Sequence, residues 1–149
     1  MAKFTFRLST LLKIREAARD RRRSALAQAY QAEAILREKG VELSDQIAQL
    51  RRQYRQAAQP GILQVDRLVE RQRYDLVLEA QQNHSQQQLR QLEEEIERRR
   101  ITLVEADRDV RALETLREKK KRAHEMKEYW QEVKQLDEVA GQRKQGAPQ

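Results

Sequence analysis

One stretch, AAQPGILQ at residues 57–64, carries the chain's only strong turn signal. Pro60 removes a backbone donor and clashes with the preceding helical turn, while Gly61 permits a reversal. The chain of 149 residues has only 4 Gly and 2 Pro, too few for the turns of a compact, many-element globule. A second break, GQRKQGAPQ from Gly141, closes the chain. The spacing therefore predicts a helix over residues 6–58, a turn at 59–62, a helix over 63–140 and a flexible tail at 141–149. Residues 1–140 form a single domain in this reading.

Heptad spacing supports both helices. In the first, Ala18, Arg22, Ala25, Ala29, Ala32, Leu36, Lys39, Leu43, Ile47, Leu50, Tyr54 and Ala57 step mainly by three and four, and ten of the twelve are apolar. The double step of four at Lys39–Leu43–Ile47 is a stutter, which relaxes a supercoil locally. In the second, Leu89, Leu92, Ile96, Arg99, Leu103, Ala106, Val110 and Leu113 repeat the pattern. Such a repeat makes helices wind around a partner. The nearest partner is the other half of the same chain. The expected fold is all-α, a long antiparallel two-helix coiled-coil hairpin with a C-terminal helical overhang.

A turn centred on Pro60-Gly61 makes facing residue numbers sum to roughly 121. The polar run QQNHSQQQ, residues 81–88, then faces Lys39 and Gly40, where the first stripe falters. Phe4 falls opposite about Arg117, which leaves residues from about 118 to 140 without an intrachain partner. Met126, Trp130 and Val133 on that overhang make an exposed patch of the kind that marks a binding surface.

Composition excludes several function classes. Charged residues make up 37% and aromatics 5%, a balance typical of long helices. With no cysteine, disulfides, thiolate metal sites and Cys nucleophiles are excluded. No 18-residue apolar run exists and no signal-peptide pattern opens the chain, so the expected compartment is the cytoplasm. His84 and His124 are far apart and not opposite one another; neither suggests a metal. Glu93–Glu97 reads as a solvated acidic face paired with Arg98–Arg100. No glycine loop cradles phosphate. No catalytic residue, cofactor, metal or small-molecule substrate is expected.

The net charge of +7 lies in the first half: residues 1–60 hold 13 Lys/Arg against 6 Asp/Glu. Arg19–Arg23 and Arg117–Arg122 fall toward the same end under the expected register. Cations interleave with carboxylates and stacking aromatics are few, which argues against nucleic acid. An acidic protein partner fits this surface better.

The opening FTFRLSTLLKIRE (Phe4–Glu16) resembles the start of the FliJ family, the stalk protein of the bacterial flagellar export apparatus. YDLVLEAQQ (Tyr74–Gln82), LVEADRDVRALETLREKKKR (Leu103–Arg122) and VKQLDEVA (Val133–Ala140) resemble later family segments; Tyr129-Trp130 departs from the family pattern. The resemblance implies a non-enzymatic stalk similar to the gamma stalk of rotary ATPases. It implies that the terminal end enters the export ATPase hexamer and promotes its assembly. It also implies contact with the membrane export gate protein and with export chaperones, on the cytoplasmic side of the inner membrane. On that basis the ATPase-contact candidates are Phe4, Arg7, Leu8, Leu11, Lys13, Arg15, Lys119, Lys120, Lys121 and Arg122. The gate-contact candidates are Tyr54, Tyr74, Leu78, Gln81 and His84, with seam packing an equal reading for Tyr54 and Leu78. An injectisome counterpart, or an unrelated coiled-coil scaffold or nucleic-acid binder, are the alternatives.

Overall fold

A computed structural model describes residues 2–57 and 65–146. The Pro60-Gly61 turn and residues 147–149 lie outside the described residues. The described chain is all-helical, with two long elements packed against each other: α1, Ser9–Ala57, and α2, Val65–Gln145. Among the described residues there is no strand.

The helix ends differ from the expected bounds for local reasons. Helix α1 starts at Ser9 rather than residue 6, because residues 2–6 form a non-helical arm held against α2. The arm enters α1 through a turn in which the Ser9 N–H donates to the Phe6 carbonyl at 3.1 Å. Helix α2 does not stop at Gly141 but continues to Gln145. One helical glycine costs only about 1 kcal/mol, and Arg143 and Lys144 in the last turn suit the negative end of the helix dipole. At the other end, Asp66 in the first turn of α2 complements the positive end.

The chain divides into two compact units, one of Met1–Arg21 with Val104–Gln149, the other of Arg22–Leu103. The first is the terminal unit and the second the hairpin unit.

In the hairpin unit the two helices run antiparallel. The Arg99 guanidinium donates to the Ala25 carbonyl at 2.6 Å, Gln82 to Ser44 at 3.5 Å, and Arg71 lies 4.8 Å over the Tyr54 ring. These pairs of residue numbers add to 124, 126 and 125, where the turn position predicts 121. A displacement of about one helical turn keeps the same faces together, since residues three and four apart share a face. Ala29, Ile47, Leu78 and Ile96 are buried, and their numbers pair at this register as 29 with 96 and 47 with 78. Full burial of each large member stabilises by about 1.5–3 kcal/mol.

From Arg71 to Leu103 the shielded residues of α2 contain an unbroken run of steps of four and three, with Glu95 and Thr102 shielded beside it. On α1 the pattern departs from expectation at three positions. Arg22, Lys39 and Ala57, all placed in the stripe by spacing, are exposed, and Gly40 takes the shielded position in place of Lys39. The double step of four therefore falls at Ala32–Leu36–Gly40. Turning the helix this way keeps the Lys39 ammonium in water, which its charge requires.

Gly40 faces the polar run as expected: a Cβ built on it would lie 3.9 Å from the Ser85 hydroxyl, an ordinary van der Waals distance. The backbone there is helical and needs no glycine. Gly40→Ala is thus expected to stabilise the chain by about 0.5–1 kcal/mol through helix propensity. Thermal melting followed at 222 nm reads this as an upward shift; an unchanged or lowered midpoint would show a tighter seam than the 3.9 Å gap implies.

The terminal unit is antiparallel too. Arg15 reaches Asp109 at 3.4 Å, and His124 reaches the Ala2 carbonyl at 3.0 Å. Leu12 and Val110 form its core, with Val110 fully buried at 0% exposure. Leu113, Leu116 and Ala106 shield the seam from the α2 side. Contacts from the N-terminal arm reach α2 as far as His124, one to two turns beyond the level at which an unpartnered overhang is expected to begin. The cause is the same register displacement.

Candidate functional site

All ten residues proposed for the ATPase contact fall in the terminal unit, and all five for the gate contact fall in the hairpin unit. The grouping follows from antiparallel pairing, which brings Phe4–Arg15 alongside the α2 segment that ends in Lys119–Arg122.

At the terminal unit the arm is clasped by His124. Its Nε2 lies 3.0 Å from the Ala2 carbonyl and 3.3 Å from Glu128 Oε1. Both partners can only accept, so Nε2 carries a hydrogen. The Phe4 ring packs on the imidazole at 5.7 Å between centroids, tilted by 44°. Phe4 is therefore half-buried and committed to this clasp. It holds the arm in place against α2. A shallow cleft of about 230 Å³ opens beside it, with Phe6 and Leu12 on the wall and Lys13, Glu16 and Arg117 at the rim.

The cations of this unit are exposed. Arg7, Lys13 and Arg15 near the start of the chain, and Lys119, Lys120, Lys121 and Arg122 on α2, all face solvent. Of these, Arg15 pairs with Asp109 at 3.4 Å and Arg122 with Glu118 at 3.7 Å. Exposed pairs of this length are worth about 0–1 kcal/mol, so they hold no cation away from a partner. Leu8 is half-buried and Leu11 is 38% exposed, a short apolar step among the charges.

In the hairpin unit the five gate candidates divide. Leu78 is 6% exposed and belongs to the packed seam. Tyr54 is half-buried beneath the Arg71 guanidinium, where the cation meets the ring's negative face. Tyr74, Gln81 and His84 are exposed.

Two arrangements escaped the sequence reading. The His124 clasp lies one to two turns past the expected register. Arg99, placed on the stripe by spacing, does more than interrupt it. Opposite it stands the small Ala25, and that space lets the guanidinium reach a backbone carbonyl while Glu95 takes another N–H at 2.9 Å. Arg37 makes the corresponding surface bridge to Glu33 at 2.6 Å and Glu93 at 3.3 Å. The hydrogen bond to Glu33 and that residue's charge raise the Arg37 pKa above its ordinary value, with a smaller push from Glu93.

Among the described residues no buried side-chain polar atom lacks a partner, no cluster of three metal-ligating side chains exists, and no helix is long and apolar enough to cross a membrane. Such an arrangement suits docking: a shielded seam that fixes geometry, and outward charges that meet another surface.

Neither the curated proteins nor the solved structures yield a match. The family model for flagellar FliJ protein matches residues 4–148. That match takes in Phe4–Phe6 of the arm, both helices and nearly the whole chain, and the chain therefore belongs to the FliJ family, a component of flagellar protein export.

Proposed function

We propose that this chain is a non-enzymatic stalk and escort protein of the flagellar export apparatus. Its terminal unit docks in the ring of the export ATPase and promotes the ring's assembly and activity. Its hairpin unit meets the membrane export gate through Tyr74, Gln81 and His84, with Tyr54 and Leu78 holding that surface in shape. Export chaperones are a third class of partner. The protein acts in the cytoplasm and peripherally at the inner membrane.

The observation that carries this reading is the gathering of exposed cations on both helices of the terminal unit, about a short apolar step at Leu8 and Leu11. A stalk gripped by several subunits benefits from contacts that are individually weak and re-form readily, and screened ion pairs have that property. The flagellar family match favours the flagellar system over an injectisome counterpart.

A pull-down of the full chain against the cognate ATPase tests the proposal. Changing Lys119, Lys120, Lys121 and Arg122 together to alanine is expected to weaken capture by about tenfold, the sum of several surface pairs. Undiminished capture would remove these four residues from the contact. In parallel, filter binding to DNA across a salt series addresses the nucleic-acid alternative. Tight binding that falls steeply with salt would favour that alternative over the stalk.

A further inference from the structure

The last stretch of α2 has a charge and exposure unlike the rest of the chain. Between residues 125 and 140 it holds five carboxylates (Glu125, Glu128, Glu132, Asp137 and Glu138) against two lysines, in a chain whose net charge is +7. Its large apolar side chains face water. Trp130 is 60% exposed, and Met126, Tyr129, Leu136 and Val139 are more than half exposed as well. Met126, Tyr129, Val133, Leu136 and Ala140 step by three and four, the spacing of one helix face. Glu125, Glu132 and Asp137 flank that face. The surface is an apolar stripe with acidic borders, and it calls for a helix with an apolar stripe and basic borders.

The same unit displays such a helix. From Arg7 to Arg15 there are three cations, Arg7, Lys13 and Arg15, and no carboxylate. Two apolar side chains stand exposed there on one face, Leu11 at 38% and Ile14 at 56%. Ile14 is not used by the seam, in which Leu12 is the buried residue. The arm and α1 meet α2 of their own chain only as far as His124 among the described contacts.

We propose that two copies of this chain pair reciprocally, the acidic apolar face of residues 125–140 of one docking on the basic face of residues 7–15 of the other. The pairing is reciprocal, each copy's acidic face on the other's basic face, so both contacts are satisfied within one pair and it closes as a two-fold dimer; one-way pairing of the same faces would grow into a filament instead. Trp130 and Leu136 supply the apolar anchors and cover Leu11 and Ile14. Glu125, Glu132 and Asp137, the carboxylates that flank the face, meet Arg7, Lys13 and Arg15. The dimer covers the cations assigned above to ATPase docking, so self-pairing and ring docking exclude one another.

Analytical ultracentrifugation of the full chain, without any ATPase, tests this independently of the stalk reading. At up to about 100 μM protein the chain is expected to show a monomer–dimer equilibrium, weakened at high salt as the Debye length shrinks. Two charge-reversed chains decide the mode of pairing. One carries Glu125→Lys, Glu132→Lys and Asp137→Lys, the other Arg7→Glu, Lys13→Glu and Arg15→Glu. Each alone is expected to be monomeric with unchanged helix content, and an equal mixture is expected to restore the dimer. Trp130→Ser, outside every seam, is expected to weaken the wild-type dimer at least about tenfold. A wild-type chain that stays monomeric throughout would overturn the proposal. So would reversed chains that dimerise alone, or a mixture that does not.

Discussion

Changing Arg7, Lys13 and Arg15 together to glutamate is expected to abolish stimulation of the export ATPase while leaving helix content intact. The three side chains are exposed, Arg7 in the turn that leads into α1 and the others in its first turns, and among the described residues only Arg15 has an intrachain ion-pair partner, Asp109 at 3.4 Å. Folding therefore loses at most one exposed pair, worth about 0–1 kcal/mol. The local charge meanwhile changes by six units, from three cations to three anions. Each former attraction to an acidic partner becomes a repulsion, and such like-charge juxtapositions can cost several kcal/mol in total, or more than about a hundredfold in affinity. Circular dichroism of the variant should overlay that of the wild type, and ATPase turnover should fall to the level seen without stalk protein. Retained stimulation would move the contact away from α1. A dimer lost without any loss of stimulation would separate self-pairing from ring docking.

The second large effect is expected at Val110. Among the described residues it is the one with no exposure at all, and with Leu12 it makes the core of the terminal unit. Val110→Asp would place a carboxylate at a position fully shielded from water. An unpaired polar group in such a place costs roughly 2–7 kcal/mol, against a total stability of about 5–15 kcal/mol for a chain of this size. Hydrogen exchange is expected to accelerate across residues 9–21 and 104–124. In the hairpin unit, Ala29, Ile47, Leu78 and Ile96 keep their own core, and amides near them should stay protected. Val110→Ala provides the milder control, with a loss of about 1.5–3 kcal/mol. Unchanged protection near residue 110 in the aspartate variant would show that the helices can separate there at little cost.

Most of the fold was legible because periodicity reports which face of a helix is shielded. The alanines at 25, 29 and 32, the leucines at 36, 43 and 50 and the stripe from Leu89 to Leu113 were all read from spacing, and all are shielded in the structure. Register was less legible. Sliding one helix past the other by three or four residues leaves the same faces in contact, so spacing alone could not fix it. Only the turn suggested a value, and the pairs Arg99–Ala25, Gln82–Ser44 and Arg71–Tyr54 set a different one. That single displacement accounts for the missed clasp between His124 and the arm. Lys39 and Gly40 are neighbours, and spacing could not choose between them; the cost of shielding an ammonium could have. Of the candidate contact residues, the sequence marked the exposed cations correctly as exposed. It could not tell that Phe4 is spent on His124, because that depends on a non-helical arm outside any repeat.

Trp130 is the only tryptophan in the chain. It stands on the outer part of α2 with its ring edge-on to Tyr129 at 5.7 Å. The molecule consequently carries its own optical gauge. Indole emission in water lies to the red, and any partner that settles over this ring will drive it toward the blue. A titration followed in a fluorimeter, with no label added, can therefore report when the end of α2 is occupied and at what concentration.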